Sequence, residues 1–137
     1  MIGIVIIAHG TLAEALIRSA SHVVGRRPLN VLSLEVTVTD DPEAVYPQAL
    51  ELVEQVEQGE GVLVLTDILG ATPANIVTRL VRPGVVEAVA GVNLPMLVRA
   101  LTYRGEPLAT VLEKAVSGGH EGVVHIVPEA RHAAGGG

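Results

Sequence analysis

The strongest restriction on the fold is an alternation in the sequence. Short apolar runs rich in β-branched residues alternate with stretches whose apolar residues recur every three or four positions. The first run, residues 2–8 (IGIVIIA), is apolar at nearly every position and too short for a helix, which is typical of a strand covered on both faces. Similar runs follow at Val31–Val36, Val62–Thr66, Val85–Ala90 and Val123–Val127. Strands alternating with helices predict an α/β fold, an open and mostly parallel sheet with helices on both faces.

We expect the first four strands in the order 2-1-3-4, which is common among open parallel sheets. The last run, Val123–Val127, follows the glycine pair 118–119 and precedes a polar tail. We therefore place it at an edge of the sheet, antiparallel or paired with another subunit and exchanged in a dimer. Since 137 residues suit one core, residues 1–127 are expected to form a single domain and residues 128–137 a flexible tail.

Composition excludes several classes of partner and chemistry. Fifteen acidic against nine basic residues give a net charge of −6, and the chain has no Trp, no Phe and two Tyr, so nucleic acid is not expected as a partner. No apolar run approaches the roughly 18 residues that cross a bilayer, so we expect no membrane insertion and a cytoplasmic location. The absence of cysteine excludes disulfides and thiolate chemistry, which leaves five histidines as the reactive groups.

The first suspects for chemistry are the residues at the carboxyl ends of the strands, where open parallel sheets bind their ligands. The first strand ends in His9 and the third is followed by Asp67. These strands are neighbours in the expected order, so the two side chains are predicted to face each other. A carboxylate that holds one ring nitrogen fixes the tautomer of a histidine and leaves the other nitrogen as a nucleophile.

The helices that follow these two strands are expected to begin at threonines. Thr11 and Glu14 have the spacing of a capping box, and Thr72 precedes a proline. Free N–H groups and positive dipole ends of two helices would then meet near His9, an arrangement that binds phosphate. The predicted phosphoryl-binding residues are Gly10, Thr11, Gly70, Ala71 and Thr72.

No metal or cofactor is expected. The other histidines, at positions 22, 120, 125 and 132, make no close pair with the spacing of a metal site. We also expect Arg99 and Arg104 to be surface charges.

These features resemble the IIA components of the mannose (mannose–fructose–sorbose) class of the bacterial phosphoenolpyruvate-dependent sugar phosphotransferase system. The resemblance extends to about Ile126. It depends on the first strand running into residues 8–10 (AHG), and on residues 65–73 (LTDILGATP), which are similar to the family's D-x-x-G-G-S-P loop. The chain departs from that loop at Ala71, at Thr72 and at Ala74, which replaces an aromatic residue often found after the proline.

The resemblance implies a phosphotransferase without cofactor. His9 would accept a phosphoryl group through Nε2 from the phosphocarrier protein HPr and pass it to a histidine of a IIB component, while Asp67 holds Nδ1. It also implies a homodimer that exchanges an edge strand near the C-terminus, in agreement with the placing of Val123–Val127. Whether the chain serves sugar uptake or regulation stays open.

Two other classes of function fit the same residues. A tetrapyrrole metal chelatase of the sirohydrochlorin type also has a His-Gly pair after its first strand, and would use His9 as a metal ligand or base. A regulatory module could bind an anion in the same place without turnover.

Overall fold

A computed structural model describes residues 1–128. Over this range the chain forms a four-stranded parallel sheet in the order β2-β1-β3-β4, with five α-helices. The elements are β1 (Gly3–His9), α1 (Leu12–Val24), β2 (Val31–Val36), α2 (Pro42–Val56), β3 (Val62–Thr66), α3 (Thr72–Leu80), β4 (Val86–Ala90), α4 (Leu94–Tyr103) and α5 (Leu108–Glu121). The predicted α/β class and strand order are confirmed.

The continuous apolar run of β1 is explained by its central place. Strand β1 pairs with β2 on one side and with β3 on the other. Ile4 and Ile6 pack in a core with α1, α4 and α5, whereas Val5 and Ile7 pack in a second core under α2 and α3. A strand buried on both faces needs apolar side chains at both alternating sets of positions.

The residues at which the helices begin agree only in part with those that the sequence predicts. Asp41 caps α2, because its carboxylate accepts a hydrogen bond from the backbone N–H of Glu43 at 3.0 Å. The capping box at Thr11 is wrong, since its side chain makes no cap hydrogen bond. Its φ of −93° and ψ of 10° are not the extended values of a capping residue, and Glu14 binds the guanidinium of Arg27 instead.

The glycine pair 118–119 does not end α5, which continues to Glu121. Both glycines face α4 at close range. A Cβ atom on Gly118 would lie 2.8 Å from Cβ of Arg99, and one on Gly119 would lie 2.8 Å from Cε of Met96. The pair therefore allows two helices to approach closely, a use of glycine that the sequence pattern alone does not separate from a turn.

The predicted strand at Val123–Val127 is wrong for the single chain: these residues pair with no strand within residues 1–128. Gly118 and Gly119 belong to helix α5, so they do not form the turn that would have returned the chain to the sheet. Residues 123–127 follow the helix without regular secondary structure, and their four apolar side chains are exposed. Strand β4 pairs with β3 as its one partner strand within the described range. Residues 129–137, most of the predicted tail, lie outside the described residues.

Arg104 is buried rather than on the surface, at the amino end of the sheet. Its guanidinium donates hydrogen bonds to the backbone carbonyls of Ile2, Leu29 and Asn30. Burial lowers the pKa of Arg104. The side chain thus closes this end of the molecule by satisfying carbonyls that precede β1 and β2.

Candidate functional site

His9 and Asp67 are in contact at the carboxyl end of the sheet. His9 is the last residue of β1, and Asp67 directly follows the neighbouring β3. One carboxylate oxygen, Oδ2 of Asp67, lies 2.7 Å from Nδ1 of His9 and accepts the backbone N–H of His9 at 3.0 Å. Because a carboxylate only accepts hydrogen bonds, we assign the ring proton to Nδ1. Nε2 of the neutral ring then keeps its lone pair.

Asp67 is held in its charged form. Burial by itself would raise the pKa of Asp67, but hydrogen bonds from the backbone N–H and ring of His9 and from the N–H of Ile68 outweigh it, so the pKa lies below its ordinary value. The aspartate side chain is almost fully buried, whereas that of His9 is 42% exposed. The site thus presents an accessible imidazole against a buried negative charge.

Glycines shape the turns on both sides of this pair. Gly10 has a φ of +53° and donates its N–H to the carbonyl of Val36 at 3.0 Å, which fastens the turn after β1 to β2. Gly70 has a φ of +88° in the loop before α3. A side chain would have room at both positions, so backbone conformation rather than space requires glycine.

Five residues predicted to bind a phosphoryl group lie in two segments at this end of the sheet. Gly10 and Thr11 lead from β1 into α1, while Gly70, Ala71 and Thr72 lead from β3 into α3. Ala71, not Thr72, is the N-cap of α3, and Thr72 is its first residue. The expected threonine cap is therefore wrong for α3, whereas Thr11 occupies the N-cap position of α1 without a side-chain hydrogen bond. Neither cap residue uses a side chain to satisfy the first-turn N–H groups, which lack acceptors within the helix.

Thr66 is a feature that the sequence patterns did not single out. It is the last residue of β3, it is buried, and its hydroxyl has no hydrogen-bond partner among residues 1–128. The sequence contained one signal that could have identified Thr66: it is a polar residue in a strand that is otherwise apolar.

The described range lacks both a cluster of metal ligands and a helix that could cross a membrane. No group of three or more His, Asp or Glu side chains that could hold a metal ion occurs within residues 1–128. In the same range, no helix is both long and apolar enough to cross a bilayer.

Fold and site together define an α/β domain that presents a strand-end histidine to an aspartate at the carboxyl edge of a parallel sheet. The model of one family, described as PTS system fructose IIA component (EIIA-man), matches residues 3–116. The chain belongs to this family, and the mannose-class IIA resemblance is confirmed. Membership supports, in general terms, a phosphocarrier role in a sugar phosphotransferase system.

Individual relatives agree with this assignment. The PTS system mannose-specific EIIAB component of Escherichia coli K12 is 33% identical over 125 residues, which cover 89% of this chain. The chain spans 38% of the length of that relative. The transcriptional regulatory protein LevR of Bacillus subtilis is 32% identical over 68 residues, 49% of this chain and 7% of LevR. Among solved structures, phosphotransferase system component EIIA from Streptococcus agalactiae has a TM-score of 0.81 and 28% identity, covering 91% of this chain and 97% of that one.

Proposed function

We propose that this chain carries a phosphoryl group on His9, accepting it from the phosphocarrier protein HPr and passing it to a histidine of a IIB component. The observation that carries the proposal is the 2.7 Å contact between Nδ1 of His9 and the buried carboxylate of Asp67, beside a ring that is 42% exposed. This arrangement orients Nε2 outward as the nucleophile.

Nε2 of His9 attacks the phosphorus atom and forms a new P–N bond, while the bond from phosphorus to the donor breaks and its electron pair leaves with the donor atom. The His9 ring, protonated at Nδ1 and bonded to phosphorus at Nε2, becomes cationic. The charged carboxylate of Asp67 stabilises that cation without taking its proton, as a buried aspartate does beside a catalytic histidine. The reverse sequence of bonds delivers the group to the acceptor.

The two turns beside His9 supply donors for the phosphoryl oxygens. We assign this role to the backbone N–H groups of Thr11, Gly70, Ala71 and Thr72, at the positive ends of α1 and α3. The N–H of Gly10 is bound to the carbonyl of Val36, so Gly10 contributes through the conformation of the turn. Ala71 keeps the N–H of the glycine it replaces, and Thr72 keeps the hydroxyl of the serine. No cofactor is needed for such a step.

Labelling tests the proposal. The chain is incubated with labelled phosphoenolpyruvate, enzyme I and HPr, and we expect a label that is labile in acid and stable in base. His9→Ala should abolish it, whereas His22→Ala, on the outside of α1, should label like the wild type. Full labelling of His9→Ala would overturn the assignment of His9, and no labelling of the wild type would leave the anion-binding module as the better account.

A regulatory use of the same phosphohistidine is the second candidate. The observation that favours it is the likeness of 68 residues to a transcriptional regulatory protein. Transfer of label from phosphorylated chain to a IIB domain would support transport, and its retention on His9 in the presence of that domain would support regulation.

The proposal includes a homodimer in the cytoplasm, with residues 1–127 as one domain. Support comes from residues 123–127, which have no regular secondary structure and expose their apolar side chains, and from β4, whose outer edge pairs with no strand of the described range. A strand received from a second copy would cover both. Sedimentation should give twice the chain mass for the wild type and the chain mass for Ile126→Glu; a monomeric wild type would contradict the dimer.

A further inference from the structure

A cavity opens at the amino end of the sheet, at the opposite end of the molecule from His9. It has a volume of about 330 Å³ and lies between the last turns of α1 and α4 and the loop that leads into β2. Its lining residues include Val24, Arg26, Pro28, Leu29, Leu101 and Arg104. Sites for small molecules take roughly 300–1,000 Å³. The cavity is therefore large enough for a small organic molecule.

The charge of this cavity is opposite to that of the chain as a whole. Two arginines line it, and among residues 1–128 no Asp or Glu does so, although the net charge of the sequence is −6. The α-ammonium group of Met1, which is also a lining residue, is paired with Glu60. A cavity with positive groups and no negative ones favours an anion.

Arg104 brings a buried charge to the cavity without a counterion. The residue is 9% exposed, and no carboxylate of residues 1–128 forms an ion pair with it. Backbone carbonyls accept four hydrogen bonds from its guanidinium, which has five N–H donors. One N–H of Nη1 thus has no acceptor within the described range. Because carbonyls are neutral, they also leave the cost of burying the charge in part uncompensated.

Arg26 supplies a second positive charge. It is exposed and makes no ion pair within residues 1–128, whereas the neighbouring Arg27 is bound to Glu14. Its long side chain can therefore turn toward an anion beside Arg104. A carboxylate has two oxygens in one plane, so it can accept hydrogen bonds from both guanidinium groups.

The remaining walls of the cavity are mainly apolar. Val24 is 40% exposed and Leu29 is 74% exposed, and Pro28 and Leu101 line the cavity with them. Apolar surface of this kind gains free energy when the hydrocarbon part of a ligand covers it. An inorganic anion such as phosphate would leave these side chains in water. The lining therefore favours an organic acid with an apolar chain.

From these observations we propose that the cavity is a binding site for a small monocarboxylic acid with a short apolar chain. Its carboxylate is bound by Arg26 and Arg104, and its chain lies against Leu29 and Leu101. This site is separate from the proposed phosphorylation of His9 and does not depend on it.

Occupation of the cavity should stabilise the folded chain without blocking His9. The ligand would contact the end of α1, the loop before β2 and the end of α4, which come together only in the folded chain, and a ligand that binds the folded state alone raises stability by mass action. The two sites lie at opposite ends of the sheet, so both can be occupied at once. The stability of the chain would thus depend on the concentration of an organic acid.

The test compares three probes that separate charge from apolar contact. 4-Methylpentanoate carries both features, 4-methylpentanamide has the same shape without the charge, and inorganic phosphate has charge without the apolar chain. Each is titrated into the full chain at pH 7 while the NMR signals of the backbone amides and of the Nε–H of Arg104 are followed. Thermal unfolding at saturating probe gives a second measurement.

The variants change exposed side chains of the cavity, so that the fold is retained. Arg26→Gln has Arg82→Gln as its matched control, because Arg82 is exposed in the turn before β4 and is not a lining residue. Leu29→Ser has Val38→Ser as its control, because Val38 is 96% exposed at the other end of the sheet. Thermal unfolding without probe shows that each variant has folded.

For the wild type we expect 4-methylpentanoate to bind with a Kd of about 1 mM or lower and to shift the Nε–H of Arg104 and the amides of Leu29 and Leu101. The amide and phosphate should bind at least about tenfold more weakly, since each lacks one of the two contacts. Arg26→Gln should weaken binding of the acid about tenfold and Leu29→Ser about threefold. Both controls should match the wild type.

Any of three results would overturn the proposal: no shift of these signals with 4-methylpentanoate, equal binding of the acid and its amide, or binding of the acid by Arg26→Gln at the wild-type Kd. Phosphate that binds as tightly as the acid would also contradict it, because the apolar walls would then have no part in recognition. None of these outcomes bears on His9, which the labelling experiment tests by itself.

Discussion

Among single residues, Asp67 illustrates how one carboxylate can serve both structure and chemistry. Its Oδ2 accepts two hydrogen bonds from His9, one from the backbone and one from the ring, and its Oδ1 accepts the N–H of Ile68. The backbone bonds fix the carboxylate, and the fixed carboxylate in turn fixes the imidazole. The orientation of the His9 ring thus depends on main-chain atoms as well as on the carboxylate itself.

We predict that Asp67→Asn slows phosphorylation of His9 by about 10- to 100-fold. The amide keeps an acceptor oxygen but loses the charge that stabilises the cationic ring, and a hydrogen bond to a charged group contributes roughly 1.5–3 kcal/mol. Single-turnover transfer from phosphorylated HPr measures the rate. A rate equal to that of the wild type would show that the negative charge has no part in the step.

Thr66→Val should stabilise the protein by about 1 kcal/mol. The substitution keeps the shape of the side chain and removes a buried hydroxyl for which the described residues offer no partner. Thr78→Val is the control, because the hydroxyl of Thr78 donates to the carbonyl of Ala74 at 2.9 Å and its loss should bring no such gain. Urea unfolding measures both; a destabilised Thr66→Val would reveal a partner for the hydroxyl.

Glu14 should make stability depend on pH. Hydrogen bonds from Arg27 outweigh its burial and lower the pKa of Glu14 from 4.5 to about 2. Because the folded pKa is the lower one, the stabilisation is complete above pH 4.5 and is lost as the pH falls toward 2. For this half-exposed pair we expect the charge of Glu14 to contribute about 1 kcal/mol to the free energy of unfolding.

The measurement is the free energy of unfolding of Glu14→Gln against wild type at pH 7 and at pH 2.5. The difference should be present at pH 7 and mostly absent at the lower pH. Glu51→Gln, on the exposed side of α2, should change stability by less than about 0.5 kcal/mol at both. An equal loss for Glu14→Gln at both pH values would mean that its charge does not contribute.

Among the elements, the contact of α4 with α5 depends on residues without side chains. We predict that Gly118→Ala destabilises the protein by about 1–3 kcal/mol, because the new Cβ would lie 2.8 Å from Cβ of Arg99. Alanine would otherwise stabilise a helix by about 1 kcal/mol over glycine. Gly105→Ala, which meets nothing within 4 Å, should be close to neutral. Thermal unfolding compares the two, and a stabilised Gly118→Ala would contradict the close packing.

The sequence predicts the elements well where periodicity and burial agree. The four parallel strands, their order and the contact of His9 with Asp67 follow from apolar runs and from the topology of open sheets. The patterns fail where a residue has two uses: glycine serves close packing in α5 as well as turns, and Glu14 binds Arg27 instead of closing a capping box. The expectation that Arg104 is a surface charge is wrong, because its carbonyl partners come from distant parts of the chain and no local pattern indicates them.

For the molecule as a whole, the charge of −6 matters for encounter with a partner. Raising the ionic strength from about 0.05 M to 0.5 M should lower kcat/KM for phosphorylated HPr about tenfold, since salt screens attraction between the acidic chain and basic groups of a protein donor. The rate with phosphoramidate, a small phosphoryl donor that needs no docking surface, should stay unchanged. A profile that does not depend on salt would argue for a partner recognised by apolar contact alone.

The hydrogen bonds of Arg104 bear on which parts of the molecule can move. Its guanidinium joins the start of β1 to the turn before β2 by hydrogen bonds, at the end of the sheet farthest from His9. We expect these contacts to keep the strands rigid, so that any adjustment to the proposed gain or release of the phosphoryl group is confined to the loops at the other end. Amide hydrogens near Arg104 should consequently exchange with solvent far more slowly than those of the loop after Asp67, in the free and the phosphorylated chain alike.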